Sequence, residues 1–175
     1  MPQAARPTST VSSSNATAVG AATLHEATDE VVRNDADYAH LIAPGLGSAN
    51  AELMLSAVND PGVHTGHVIH AVIANVTTHV VTHGIELKQG STVIKSWDPE
   101  TITNGQGFTE YTVELSEAEA ANITNYSDLR IRPSYTSGGS GEYKYSQLFL
   151  EVPDVPVTLS IKGVFDPDLV PKAWW

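Results

Sequence analysis

The stretch HVIHAVIANV, residues 67–76, constrains the fold of this chain more than any other segment. In an extended chain Val68 and Val72 lie on one face, and Ile69 and Ile73 lie on the other. A run that is apolar on both faces and rich in β-branched residues is typical of a central strand covered on both sides. We therefore expect a sheet with layers packed against both of its faces.

Further short alternating runs follow the same pattern and are separated by Gly, Pro and Asn turns. The run at 85–97 is a hairpin with its turn at Gln89–Gly90, and Ser116 with Glu119 forms a capping box before a short helical turn. No strand–helix–strand alternation is present. The pattern predicts an all-β fold, an antiparallel β-sandwich or jelly-roll with one short helical turn and extended N- and C-terminal arms. The other predicted strands lie within residues 38–43, 51–58, 108–115, 129–135 and 142–152.

Composition shifts divide the chain into three parts. Residues 1–23 are mostly Ala, Ser, Thr and Pro, which predicts a flexible N-terminal arm. Residues 24–154 carry the strand pattern and form the β-sandwich domain. Residues 155–175 contain three prolines and form a C-terminal arm, with one further strand expected at Val157–Lys162.

Period-2 patterning selects a set of apolar residues that should point into the sandwich. These are Val72, Ile85, Leu87, Val113, Leu129, Ile131, Leu148 and Leu150.

Charge and cysteine content exclude several classes of function. The formal net charge is −11, which disfavours binding to nucleic acid and to anionic membrane surfaces. The chain has no Cys, so disulfides, thiolate nucleophiles and Cys-based metal sites are excluded. The N-terminal residues lack the apolar segment of a secretory signal, so synthesis in a cytoplasm is expected.

Two residue clusters raise the question of a metal ion. His64, His67 and His70 are three apart and alternate in direction on a strand, so a zinc site would require ligands from several strands. The oxygen-rich segment at 29–37 could bind calcium, but Asp and Asn also simply form turns. We predict no metal and no other cofactor, and a melting temperature unchanged by a chelator.

No catalytic arrangement is evident in the sequence. Glu110 and Glu114 fit the solvated side of a half-buried strand better than an acid–base pair. The glycine-rich segment 136–141 is followed by no Lys–Ser/Thr pair at a helix start, so we expect a hairpin connection there and no phosphate site. We therefore expect that the protein is not an enzyme.

One long segment resembles a known group of proteins. TEYTVELSEAEAANITNYSDLRIRPSY at 109–135 and YSQLFLEVPD at 145–154 are similar to a β-sandwich domain of virion structural proteins in tailed bacteriophages. Asp29–Glu30, NDADY, HVIHAVIA and IELKQGSTVI match further parts of the same pattern, so that the resemblance covers about 24–154. His and Ala stand where relatives often have Arg, and Leu148–Phe149 replaces a more polar stretch.

This resemblance implies a non-enzymatic capsid decoration (cement) protein on the virion surface. The implied partners are the major capsid protein and further copies of the chain in a homotrimer, with no nucleic acid and no membrane. The alternative is a carbohydrate-binding jelly-roll module of a phage tail or head fibre. Its sugar platforms would be aromatic residues beside polar groups, and the candidates are Trp97, Tyr126, Tyr135, Tyr143 and Tyr145.

The C-terminal residues PKAWW are the candidate partner-binding site. Trp174 and Trp175 are large apolar side chains of the kind that anchor interfaces, and Pro171 stiffens the approach to them. The alternative is that these indoles cover a gap in their own sandwich.

Overall fold

The computed structural model describes residues 1–45, 47–76, 81–98, 105–137 and 141–155. Within these ranges the chain is almost entirely β-strand, with one helix, α1 (Glu117–Ala120). No helix of the described ranges is long and apolar enough to cross a membrane.

The strands form two antiparallel sheets that pack face to face. The first, sheet A, has the order β3–β4–β11–β6–β9, and β1 also pairs with β11. Its strands are β1 (Gln3–Ala5), β3 (Ala16–Val19), β4 (Tyr38–Ala43), β6 (Val68–Asn75), β9 (Thr109–Glu114) and β11 (Gly141–Val152).

The second sheet, sheet B, has the order β2–β5–β10–β7–β8. Its strands are β2 (Pro7–Ser14), β5 (Ser48–Leu55), β7 (Val81–Gln89), β8 (Thr92–Trp97) and β10 (Leu129–Ser137). The predicted all-β sandwich is therefore confirmed.

The core lies between the two sheets and is built from alternate residues of each strand. On β10, Leu129 and Ile131 are buried while Arg130 and Arg132 face outward, because successive strand side chains point to opposite faces. The predicted core set lies inside the sandwich with two exceptions: Val113 is only half-buried against the core, and the prediction for Val72 is wrong, because this residue is buried on the outer face of β6. Val72 is buried on the opposite face of β6 from Ile73, so this strand is covered on both sides as its sequence predicts.

The predicted flexible arm over residues 1–23 is wrong. β1 pairs with β11, β2 pairs with β5 in sheet B, and β3 pairs with β4 in sheet A. The chain crosses between the sheets at Asn15, whose φ of 52° lies in the left-handed region that Asn tolerates. The domain therefore begins near residue 3 rather than at 24.

Two local sequence signals, a glycine turn and a helix cap, set the conformation of the β7–β8 turn and of the start of α1. The hairpin between β7 and β8 turns at Gly90–Ser91, one residue later than predicted, and Gly90 has a φ of +57°. At α1 the predicted capping box forms, with the Ser116 Oγ accepting from the Glu119 N–H and the Glu119 carboxylate accepting from the Ser116 N–H.

Charged residues cover the outward face of sheet B. The Glu52 carboxylate on β5 pairs with Lys88 Nζ on β7 at 2.6 Å and with Arg130 Nη1 on β10 at 3.0 Å. Arg132 Nη1 pairs with Glu86 Oε2 at 3.1 Å. These pairs tie three neighbouring strands together beside the site described next.

Candidate functional site

A cleft opens at the β8 edge of sheet B, where β10, β7 and β8 run side by side. Its volume is about 270 Å³. Its lining comes from the β7–β8 hairpin and from β10: His83, Gly84, Ile85, Glu86, Ser96, Trp97, Asp98 and Ser134.

Gly84 forms the floor of the cleft. It lies in the interior of β7 between the inward residues His83 and Ile85, so a side chain at this position would point outward. A Cβ placed here would lie 3.7 Å from the Trp97 carbonyl oxygen and 3.9 Å from Ser134 Oγ, which is ordinary contact. A larger side chain would therefore fit the backbone and fill the cleft.

Trp97 closes the cleft at the end of β8, with its indole on the inward side of the sheet and its carbonyl oxygen facing the Gly84 position. It pairs with Ile85 across the sheet and is half-buried, with part of its surface packed against the core. The core contact holds the indole in place, while the rest of the residue lines the cleft.

The polar groups of the cleft are mostly hydrogen-bond acceptors. Glu86 pairs with Arg132 on the neighbouring strand, and Ser134 Oγ donates to the Gly84 carbonyl at 3.4 Å. Asp98 is largely exposed, and its Oδ1 lies 3.7 Å from His83 Nδ1. Carboxylates accept hydrogen bonds and do not donate them, so the cleft suits a ligand that is rich in hydroxyl donors.

An aromatic stack supports the cleft from the core side. The buried His83 ring stacks on Tyr143 with 5.1 Å between centroids, and Tyr143 lies 5.1 Å from Tyr135. Burial raises the pKa of Tyr143 to about 12, so its hydroxyl stays protonated at neutral pH. The Tyr135 hydroxyl accepts from the Ala43 N–H at 3.2 Å, which ties the stack to sheet A.

The structure corrects most of the sequence-predicted sugar platforms. Tyr126, Tyr135, Tyr143 and Tyr145 are all buried in the core, so none of them presents a ring face to a glycan. The Tyr145 hydroxyl is buried without a hydrogen-bond partner, and burial raises its pKa. Trp97 is the one member of the predicted set that reaches a cleft.

The candidate anchor residues Pro171, Trp174 and Trp175 lie outside the described residues, as does the predicted strand at Val157–Lys162. Their role in partner binding stays a prediction.

The histidines have separate partners. His67 is fully buried beside Tyr126, with 2.8 Å between Nε2 and the hydroxyl, and burial lowers its pKa. His70 stacks on Phe149 with 4.3 Å between centroids, and its Nδ1 lies 3.1 Å from Glu110 Oε1. Within the described ranges, no group of three or more His, Asp or Glu side chains is arranged to hold a metal ion.

The acidic segment at 29–37 lies against the outward face of sheet A. Asp35 pairs with Arg33 and accepts from Ser146 Oγ at 2.8 Å. Burial and the neighbouring carboxylates of Asp37 and Asp29 raise the pKa of Glu30 to about 7. The Glu30 carboxyl group is therefore protonated below about pH 7.

Sequence analysis missed Gly84, Glu86, Ser96, Asp98 and Ser134 as site residues. One available signal was a glycine in the interior of a strand pattern, because such a glycine weakens the strand and often marks close approach of a ligand. The predicted hairpin began at Ile85 and therefore left Gly84 outside the strand.

Comparisons with known proteins bear on the fold. Neither the comparison with protein-family models nor the comparison with curated proteins yields a match. Among solved structures, the Stig cyclase FisC from Fischerella sp. TAU is 15% identical with a TM-score of 0.52, over 83% of this chain and 78% of that one. This chain spans 66% to 78% of the Fischerella cyclase structures.

Two further similar structures belong to proteins whose descriptions refer to xyloglucan or xylan. SGBP-B from a complex xyloglucan utilization locus in Bacteroides uniformis is 8% identical with a TM-score of 0.53, over 82% of this chain and 47% of that one. The xylan-binding module CBM15 is 9% identical with a TM-score of 0.48, over 87% of this chain and 98% of that one. At 15% and 8% identity, the likeness to FisC and SGBP-B, whose TM-scores are above 0.5, shows a shared fold.

Proposed function

We propose that this protein is a non-catalytic β-sandwich module that binds glycans in the Trp97 cleft. The observation that carries the proposal is Gly84, whose missing side chain leaves an open floor beside the Trp97 carbonyl oxygen and the Ser134 hydroxyl.

The chemistry of the cleft fits a sugar. A sugar ring has one apolar face and a rim of hydroxyl groups, so it needs an aromatic surface beside polar groups that fix its orientation. The exposed part of the half-buried Trp97 would supply the apolar surface, and Glu86, Asp98, Ser96 and Ser134 would supply the polar rim. SGBP-B of the xyloglucan utilization locus has a similar fold, which is consistent with this use of the sandwich.

Gly84→Thr and Trp97→Ala test the proposal by calorimetric titration against neutral hexose and pentose oligosaccharides. We expect Gly84→Thr to abolish binding and to raise the melting temperature slightly, because Thr suits a strand interior better than Gly. Trp97→Ala should weaken binding by about tenfold or more. Ser12→Thr, on β2 at the opposite edge of sheet B, is the matched control and should bind like the parent.

Two results would overturn the proposal. The first is that no oligosaccharide binds, or that Gly84→Thr binds as well as the parent. The second is cleavage or other conversion of a bound oligosaccharide, detected by chromatography, which would contradict the non-catalytic part.

A second candidate function is attachment to a capsid, as the resemblance to virion β-sandwiches implies, and one observation favours it. Val31 and Val32 are each 80% exposed in a loop that is held on both sides. On one side the Glu30 carbonyl accepts from Gln147 Nε2 at 2.6 Å, and on the other Arg33 Nη2 donates to the Phe108 carbonyl at 2.7 Å. A fixed apolar pair of this kind suits a protein partner.

Cryo-electron microscopy of particles that carry the chain tests this function: a regular lattice of copies on the shell supports it, and absence from the shell contradicts it.

A further inference from the structure

We infer that the Trp97 cleft selects uncharged sugars and rejects glycans that carry carboxylate or sulfate groups. This inference rests on the proposed function and adds the substrate class.

The fixed charges around the cleft are negative. Glu86 and Asp98 line it, and among the described lining residues none is Lys or Arg. Arg132 is the cation that pairs with Glu86, at 3.1 Å, so this guanidinium is already engaged. The next cations along the outward face of sheet B, Lys88 and Arg130, are paired with Glu52. An anionic sugar would therefore meet carboxylates without a free cation to offset them.

Hydrogen-bond chemistry points to the same class. The hydroxyl groups of a neutral sugar can donate to Asp98 and Glu86, whereas the carboxylate of a uronic acid and a sulfate ester can only accept. Such a group would lose its hydration beside two carboxylates, and among the described lining side chains only the Ser96 and Ser134 hydroxyls could donate to it. Ser96 and Ser134 can orient one or two sugar hydroxyls, since a Ser hydroxyl both donates and accepts.

The size of the cleft limits how much of a glycan it contacts. About 270 Å³ is slightly below the usual range for pockets that hold drug-sized ligands, and among the described lining residues Trp97 is the one large aromatic. The cleft therefore takes one or two sugar units, and the charge of those units decides binding. The formal net charge of −11 adds a long-range repulsion of anionic chains.

The test compares matched neutral and acidic trisaccharides by titration calorimetry at pH 7 and low salt. The pairs are galactotriose with trigalacturonate, cellotriose with its C6-oxidised form, and xylotriose with a glucuronate-substituted xylotriose. A carboxylate about 4 Å from Asp98 should weaken binding by about fivefold or more. Added salt should reduce the difference, since the repulsion is screened.

The Asp98→Asn substitution keeps almost the same side-chain shape and removes the exposed negative charge of the cleft. We expect this variant to reduce the ratio of the affinities for the neutral and the acidic trisaccharide by about threefold or more. The affinity for the neutral trisaccharide itself should change less. Asp128→Asn is the matched control, because Asp128 pairs with Arg130 and does not line the cleft. It should leave the preference unchanged.

The outcomes separate this inference from the proposed function. Equal or tighter binding of the acidic members, with binding still lost in Gly84→Thr, overturns the selectivity and leaves glycan binding in place. A preference that is the same in Asp98→Asn and the parent overturns the role of Asp98. Absence of binding for every member of every pair overturns the proposed function and this inference together.

Discussion

Glu30 shows how one carboxyl group can make the stability of this domain depend on pH. Its pKa is raised from 4.5 to about 7, mainly because burial disfavours the charged form and also because Asp37 and Asp29 lie nearby. One Glu30 oxygen and one Asp37 oxygen are buried without a hydrogen-bond partner, which fits two carboxyl groups that face each other. Arg6 donates to the Glu30 carbonyl, and its charge interacts with Asp29 and Glu30.

The first prediction concerns Glu30→Gln. The folded state keeps a proton on Glu30 that the unfolded chain loses between pH 4.5 and about 7, so this contribution to stability is present below pH 4.5 and is lost as pH rises through 7. At pH 8 the variant should be more stable than the parent by about 1–2 kcal/mol, and the difference should vanish near pH 4. Chemical denaturation across this pH range measures it.

The exposed residue Glu26 provides the control for this measurement, since Glu26→Gln should leave the pH profile unchanged. A Glu30→Gln variant less stable than the parent at pH 8 would show that the carboxylate has a stabilising partner, such as a bound cation. Repeating the series with a chelator separates these cases, because we expect a chelator to have no effect.

At the level of elements, β2 is the edge strand that closes sheet B. It pairs with β5 from Pro7 to Ser14, and its irregular register leaves most of its Ser and Thr side chains toward solvent. Pro7 is buried, and so is Ala5 in the preceding strand. The N-terminal residues thus supply both main-chain hydrogen bonds and core surface.

The second prediction is that deletion of residues 1–15 destabilises the domain strongly. Loss of β1 and β2 removes their ladders to β11 and β5 and exposes the core surface that Ala5 covers. We expect a loss of about 3–5 kcal/mol and a fall in melting temperature of more than about 10 °C. Differential scanning calorimetry measures both, and an unchanged transition would mean that this segment adds nothing to the stability of the sandwich.

At the level of the whole molecule, the prediction concerns the C-terminal arm. A chain truncated after Val170 lacks Pro171, Trp174 and Trp175. If these residues anchor a partner, the truncated chain should melt almost like the parent while trimer formation or particle occupancy falls sharply. Native mass spectrometry measures trimer formation, and calorimetry measures the melting temperature. A much lower melting temperature with unchanged assembly would show that the indoles pack against their own domain.

The sequence by itself determined the fold class and most of the strands. The β6 run, the 85–97 hairpin, the capping box at Ser116 and the alternation on β10 are local signals, because each depends on residues a few positions apart. Such patterns state which face of a strand is apolar. They do not state which strand lies beside it.

Only the tertiary structure decided the role of the N-terminal residues and the position of the cleft. Register shifts in the pairing of β2 with β5 interrupt the period-2 pattern of β2. The outward Ser residues of β2 therefore give no strand signal in the sequence, although β2 is hydrogen-bonded to β5. Likewise Gly84, Trp97 and Ser134 meet because β7 pairs with both β8 and β10. A cleft depends on these long-range contacts, and the sequence encodes them only through the packing of both sheets as a whole.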